Sequence, residues 1–399
     1  VQDATLKLYP IDGYGNPDLL RKILYMEKDV SAILHFTDPR YWQWLYSIEN
    51  EIRQQVPITY YALWDDLPYP KYNQNSYRSS DLIMSISKQS ENIHKCVLGE
   101  HVDETKVTYV PHGINEDVYK PVFKGEQNYI DFENSIFQGK KYDFVMLYNS
   151  RNMLRKRPND LMTAYKIFCN SLPKEKADKT MLIYHTDPVD NAGTDLPTTQ
   201  KQVCPECNVK FSVNKLSTEQ LNLLYNLSDV TMGISSAEGF GLSTAESLMS
   251  GTPIIANVVG GLQDQMGFRN NTLGGELIKY SPDFPSNSCK RYTDHGEWVF
   301  PIWPQLNIVG SPPTPYIYDS RAKISDITEQ MLVAYNLGRD ELQERGEKGR
   351  EYMLENMTAG IMSSGIIRDM KECLDNFVPK KSFGIYKSNH KKIDSPAGV

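Results

Sequence analysis

Val230 to Leu262 reads VTMGISSAEGFGLSTAESLMSGTPIIANVVGGL. Val230 to Ser235 is a short apolar, β-prone run closed by small polar residues, which predicts a buried strand. Leu242, Ala245 and Met249 fall at helical spacing, so residues 242–250 predict a helix. Gly251 just past its end and Pro253 shortly after supply the stop. Ile254 to Ala256 predicts the next buried strand. The unit is β-turn-α-turn-β, and its first turn carries Glu238, Gly239, Phe240 and Gly241, with Glu246 inside the helix. A carboxylate on the turn and another within the helix can both face a ligand seated at the helix N-terminus.

The pattern continues on both sides. Upstream, 17–28 and 41–55 predict helices, while 30–36, 57–63, 82–86 and 107–110 predict strands. Lys120 to Lys141 is polar and poorly periodic and is expected to be an interdomain linker. A second alternating series follows, with strands at 144–148, 181–184 and 209–213 and helices at 159–170 and 218–227. Met266 to Arg321 breaks the rhythm with Gly, Pro, Asn and aromatic residues, and is expected to be an insertion flanking the cleft or packing outside the domain. Three helices, 324–336, 339–356 and 359–376, precede a Lys-rich tail expected to be mobile. Strands alternating with helices predict two doubly wound, parallel-sheet domains, with ligands beyond the carboxyl ends of the strands.

Composition excludes several classes. With 40% apolar and 23% charged residues the 399-residue chain is globular, and its net charge of −7 argues against nucleic acid as the main partner. No apolar run reaches the roughly 18 residues of a transmembrane helix. Six scattered cysteines suit free thiols in a reducing, cytoplasmic setting. Cys204-Pro205-Glu206-Cys207 resembles half a zinc knuckle without a second pair, so no metal is assigned.

Gly239-Phe240-Gly241 is not a dinucleotide fingerprint: Thr244 takes the third glycine's place, and the next strand ends without an acidic residue. A helix N-terminus that attracts an anion, beside two carboxylates that accept hydroxyl protons, instead suits a phosphate next to a sugar. A second loop, Ser150 to Pro158, supplies Arg151, Arg155, Lys156 and Arg157 after the first strand of the same domain, and such cations can surround a diphosphate.

Arg151 with Lys156, followed by Glu238 and Glu246 within S-x-x-E-G-F-G-L-x-x-x-E, resembles the donor site of retaining GT-B glycosyltransferases of the large family 4. Asp81-Leu82-Ile83 with Ile86-Ser87-Lys88-Gln89-Ser90, Val110-Pro111-His112-Gly113, Leu224-Tyr225 with Ser228-Asp229-Val230, and Gly251-Thr252-Pro253 are similar to further motifs of that family. The resemblance implies a GT-B fold: an N-terminal acceptor domain (1–120), a linker (121–141), a donor domain (142–358) and a final helix (359–378) returning to the first domain. It implies transfer of a hexosyl-type sugar from a UDP- or GDP-linked donor to a glycan or other hydroxyl acceptor, without cofactor or metal. Arg151 and Lys156 would stabilise the departing diphosphate. Glu238 would meet the transferred sugar and Glu246 the ribose. Gly239, Phe240, Gly241, Leu242 and Ser243 would form the donor-binding turn, and Val213 to Lys215 would lie near the base.

Against the family pattern the N-terminal domain is expected to be incomplete, without its first strands. Trp64-Asp65 stands where the family often has His-Asp. Trp64 can stack on a sugar but cannot accept the histidine's hydrogen bond. Asp65 and Asp66 either position an acceptor hydroxyl or cap the following turn, and His112 either faces the cleft or packs in the core. Two other functions stay open: a catalytically silent sugar-nucleotide-binding module, and a GT-B sugar-nucleotide epimerase.

Overall fold

The computed structural model describes residues 5–381. Four strands, β1 (Ile33–Thr37), β2 (Ile58–Ala62), β3 (Leu82–Ser85) and β4 (Lys106–Tyr109), form a parallel sheet in that order. β2 and β3 are buried throughout, which explains their unbroken apolar sequences. β1 is an edge strand, with Leu34 and Phe36 exposed. The segment expected as one helix over 41–55 is a 3₁₀ turn and two short helices, Gln43–Ser47 and Glu49–Ile52, interrupted at Ile48.

The second sheet contains β5 (Phe144–Asn149), β6 (Thr180–His185), β7 (Val209–Ser212), β8 (Val230–Gly233) and β9 (Ile254–Asn257). Beyond a small ladder of β10 (Arg269–Asn270) and β11 (Glu276–Leu277), β12 (Val299–Ile302) joins it, giving the parallel order β12-β9-β8-β5-β6-β7. The order reverses between β5 and β8, and the loops that follow these two strands carry the predicted cations and carboxylates.

Two stretches differ from expectation. Residues 120–141 are more than a linker: Gln127–Phe137 is a helix that buries Tyr129, Phe132 and Phe137. Within 266–321, β12 is an integral sheet strand, and β13 (Gln305–Ser311) pairs with β14 (Thr314–Arg321) as an antiparallel hairpin. Pro301 is tolerated in β12 because an edge strand leaves one side of its ladder unpaired. The hairpin reaches the first domain. Tyr318 N donates to Leu67 O at 2.6 Å, Tyr316 Oη donates to Tyr69 O at 3.1 Å, and the Tyr316 ring meets Tyr72 edge-on at 5.1 Å.

Other motif residues hold the frame. Asp229 accepts from Val145 N at 2.7 Å and from Arg339 Nε at 2.9 Å, tying β5 to helix Arg339–Asn356. Helix Ala359–Asn376 packs against the first sheet: Ala359 N donates to Ile114 O, and a Cβ on Gly365 would lie 3.0 Å from Val110. Lys380 also binds the first domain, its ammonium 2.7 Å from Glu49, so the expected mobile tail does not begin at 379. Residues 382–399 lie outside the described residues.

Candidate active site

A cavity of about 780 Å³ lies between the carboxyl ends of the two sheets. Its second-domain wall comes from the loops after β5 and β8. Gly241 begins the helix Leu242–Met249 at φ 88°, in the left-handed region that glycine occupies without steric cost. It offers no side-chain cap, so the first-turn amides have no capping side chain, and Gly241, Leu242 and Ser243 line the cavity. The opposite face buries Thr244, Ala245, Leu248 and Met249. Gly239 allows close approach of the two domains, since a Cβ there would sit 2.9 Å from Leu63 O.

The basic loop folds onto this turn. The Lys156 ammonium donates to the Glu238 carboxylate, which also accepts from Ser235 Oγ at 2.7 Å. Burial pulls the Lys156 pKa below its ordinary value, and Glu238 opposes that drop. Arg155 lines the cavity and donates to Ala237 O at 2.7 Å. Arg157 bonds Ser236 at 2.8 Å and pairs with Asp319 of the hairpin. Arg151 points elsewhere: its Nε bonds Asp190 at 2.9 Å, its side chain is 64% exposed, and it does not line the cavity.

Glu246 lies deeper, half-buried, with its pKa raised by burial. Tyr225 Oη donates to Glu246 at 2.7 Å and accepts from Asn149 Nδ2 at 2.7 Å, so the end of β5 orients the carboxylate through one phenol. Glu238, Gly239, Phe240, Gly241, Leu242, Ser243 and Glu246 all line the cavity. Val213 and Lys215 do not; both are exposed at the end of β7, the far edge of the sheet.

The first domain supplies Trp64, Asp65 and His112 to the opposite wall. Trp64 is only 6% exposed, with the Arg40 guanidinium 5.2 Å from its ring centre and its indole N–H bonded to Asp66 O at 3.0 Å. Burial pushes Asp65 up to about 7 and raises Asp66 as well. His112 sits edge-on to Phe240 at 5.2 Å, with a buried Nδ1 that has no partner and a pKa lowered by burial. Arg40, Asp38, Asn149 and hairpin residues Thr314 and Ile317 line the cavity beside Arg155, and of these six only Arg155, in the basic loop, stands out in the sequence. Tyr225 is legible there only as part of a matching motif.

Among the described residues no three His, Cys, Asp or Glu side chains cluster as metal ligands, and no helix is long and apolar enough to cross a membrane. Residues 131–273 match the family model described as glycosyl transferases group 1. No curated protein matches the chain in sequence. Among solved structures, the chain is similar to sucrose-phosphate synthase from Thermosynechococcus elongatus at TM-score 0.60 and 16% identity, over 89% of this chain and 76% of that one. It is similar to HepE from Anabaena, in complex with UDP and glucose, at 0.62 and 14%, over 89% and 82%. A glycosyltransferase from Rickettsia africae gives 0.61 and 14%, over 92% and 85%. Residues 131–273 are thus a glycosyl transferases group 1 domain, carried in a chain whose two Rossmann-like domains form a GT-B-type fold.

Proposed function

We propose that the chain is a metal-independent, cytoplasmic glycosyltransferase that moves a hexosyl-type sugar from a UDP- or GDP-linked donor to a hydroxyl acceptor, with retention. The observation that carries this reading is the bond between Lys156 and Glu238, which puts the basic loop and the carboxylate-bearing helix start on one cavity wall. The division into acceptor domain, donor domain and returning helix follows the same reading.

The donor diphosphate lies at the N-terminus of helix Leu242–Met249, against Lys156 and Arg155. These groups and the first-turn amides stabilise the charge that develops as the sugar–phosphate bond breaks, in a site partly shielded from water. Arg151 reaches the diphosphate once it leaves Asp190. Glu246 takes the ribose hydroxyls, held ready by Tyr225, and Glu238 accepts from the transferred sugar. The acceptor enters from the first-domain side, where Asp65, with its raised pKa, and the neutral His112 face it. Attack occurs on the face the diphosphate leaves, and a departing phosphate oxygen takes the acceptor's proton. The UDP and glucose held by the Anabaena protein of like fold support this choice of donor class.

Lys156→Ala and Glu246→Ala test the reading in the intact chain. Both should abolish donor turnover while leaving the melting transition in place. Unchanged transfer by both variants would remove the basis of the assignment. Nucleotide binding without turnover would favour the silent module, and an epimerised sugar nucleotide would favour the epimerase.

A further inference from the structure

The two walls of the cavity differ in charge. On the second-domain wall Arg155 and Lys156 stand against Glu238 and Glu246, two cations to two carboxylates, and the reading above places these cations with the helix amides for a diphosphate. The first-domain wall has three carboxylates, Asp38, Asp65 and Asp66, against one guanidinium, Arg40. That guanidinium is already occupied. Its Nε lies 3.0 Å from both oxygens of Asp38, its Nη2 also bonds Asp38, and its Nη1 bonds Thr314 Oγ1 of the hairpin. Its flat face lies over Trp64 at 5.2 Å. Asp38 is fixed in turn by the Arg40 amide at 2.9 Å. The charge an anionic group would seek is cancelled in place, and its hydrogen-bonding edges are in use.

Asp65 and Asp66 differ from Asp38. Both line the cavity half-buried, and neither is ion-paired among the described residues. Burial raises the pKa of both; protonated or ionised, they exchange hydrogen bonds with sugar hydroxyls and bring no positive charge to a phosphate or carboxylate. His112, on the same wall, adds no compensating charge, because burial keeps it neutral.

The geometry points to an uncharged saccharide or polyol as the acceptor, its hydroxyls on Asp65 and Asp66, with Asp38 excluding sugar phosphates by holding Arg40. This rests on the glycosyltransferase reading above and deepens it to a class of acceptor. It also gives Arg40 a role separate from phosphate recognition: it braces Trp64 and Thr314 across the cavity mouth.

The test is calorimetric titration of the intact chain, saturated with UDP or GDP, with glucose and with glucose 6-phosphate. In the wild-type chain glucose 6-phosphate should not be the tighter ligand. Asp38→Asn, which keeps the capping oxygen but removes the charge that neutralises Arg40, should bind glucose 6-phosphate at least about tenfold more tightly than the wild type. Asp66→Asn leaves the bonds of Arg40 untouched and should give no comparable gain. Preferential binding of glucose 6-phosphate by the wild-type chain, no gain in Asp38→Asn, or an equal gain in Asp66→Asn would overturn the inference while leaving the donor assignment standing. A chain that binds neither UDP nor GDP overturns the donor reading and this inference with it.

Discussion

Lys156 and Glu238 lie 82 residues apart in sequence and are bonded in the structure, the ammonium of one donating to the carboxylate of the other. Their strands, β5 and β8, are neighbours across the point where sheet order reverses. Glu238 holds Lys156 charged against the burial that favours the neutral amine. A diphosphate arriving at the helix N-terminus would take over that role and release Glu238 to bind sugar hydroxyls.

Replacing Lys156 by Met keeps the stem and removes the charge. Donor turnover should fall by about 10²–10³, the scale of losing one preorganised electrostatic contact to a leaving group. Arg151→Met should cost less, because that side chain starts from an exposed pair with Asp190. Steady-state kinetics on both variants checks the ranking; equal losses would show that Arg151 contributes as much to the leaving group as Lys156 does.

Tyr225→Phe removes the phenol that links Asn149 to Glu246. Nucleotide affinity should weaken by about 1 kcal/mol, the usual net worth of one such hydrogen bond, with smaller change in the rate at saturating donor. Calorimetry with UDP and GDP measures it. Affinity equal to wild type would mean that Glu246 needs no orienting partner.

The raised pKa of Asp65 makes a signed prediction. Its folded-state value, about 7, exceeds the ordinary aspartate value of 3.8, so the folded protein holds a proton that the unfolded chain gives up. This contribution is fully present below about pH 4 and is lost as pH rises through about 7. Asp65→Asn should therefore be neutral for stability at pH 4 and stabilising by ~1–2 kcal/mol at pH 8, a figure reduced for partial solvent access. Denaturant titrations at the two pH values test it, and a variant less stable than wild type at pH 8 contradicts burial as the cause.

The hairpin β13–β14 ties the two domains at the cavity mouth through Tyr316 and Thr314. Tyr316→Ala should raise the KM for acceptor several-fold and leave nucleotide affinity nearly unchanged, since Tyr316 bonds the first domain's 69–72 segment and does not line the cavity. Initial rates at varied acceptor and donor separate the two. An effect confined to donor affinity would place the hairpin in a different role.

Much of this architecture was legible because buried parallel strands write unbroken apolar runs, as β2, β3, β5 and β8 do, and because Gly241 and Gly251 bracket a short helix. β12 was hidden: four residues containing a proline do not read as a strand until edge position explains Pro301. Helix Gln127–Phe137 was hidden by polar residues between its three buried aromatics, and the hairpin by the density of Gly and Pro around it. Within the site, both carboxylates and the basic loop stood out. Which cation faces the cavity did not, because that depends on Asp190 drawing Arg151 away from it. Trp64 invited a stacking role, yet the ring is occupied by Arg40, 24 positions earlier, a contact that spacing alone does not reveal.

The most direct test of the donor assignment is nucleoside diphosphate release from a panel of UDP- and GDP-sugars by the intact chain, in the presence of a mixed glycan acceptor pool, alongside Lys156→Met and Glu246→Ala. The donor assignment predicts release from at least one donor, accompanied by a glycosylated product of retained configuration, and a fall in both of at least about hundredfold in each variant. Equal release by the wild type and both variants, or a product of inverted configuration, would contradict it.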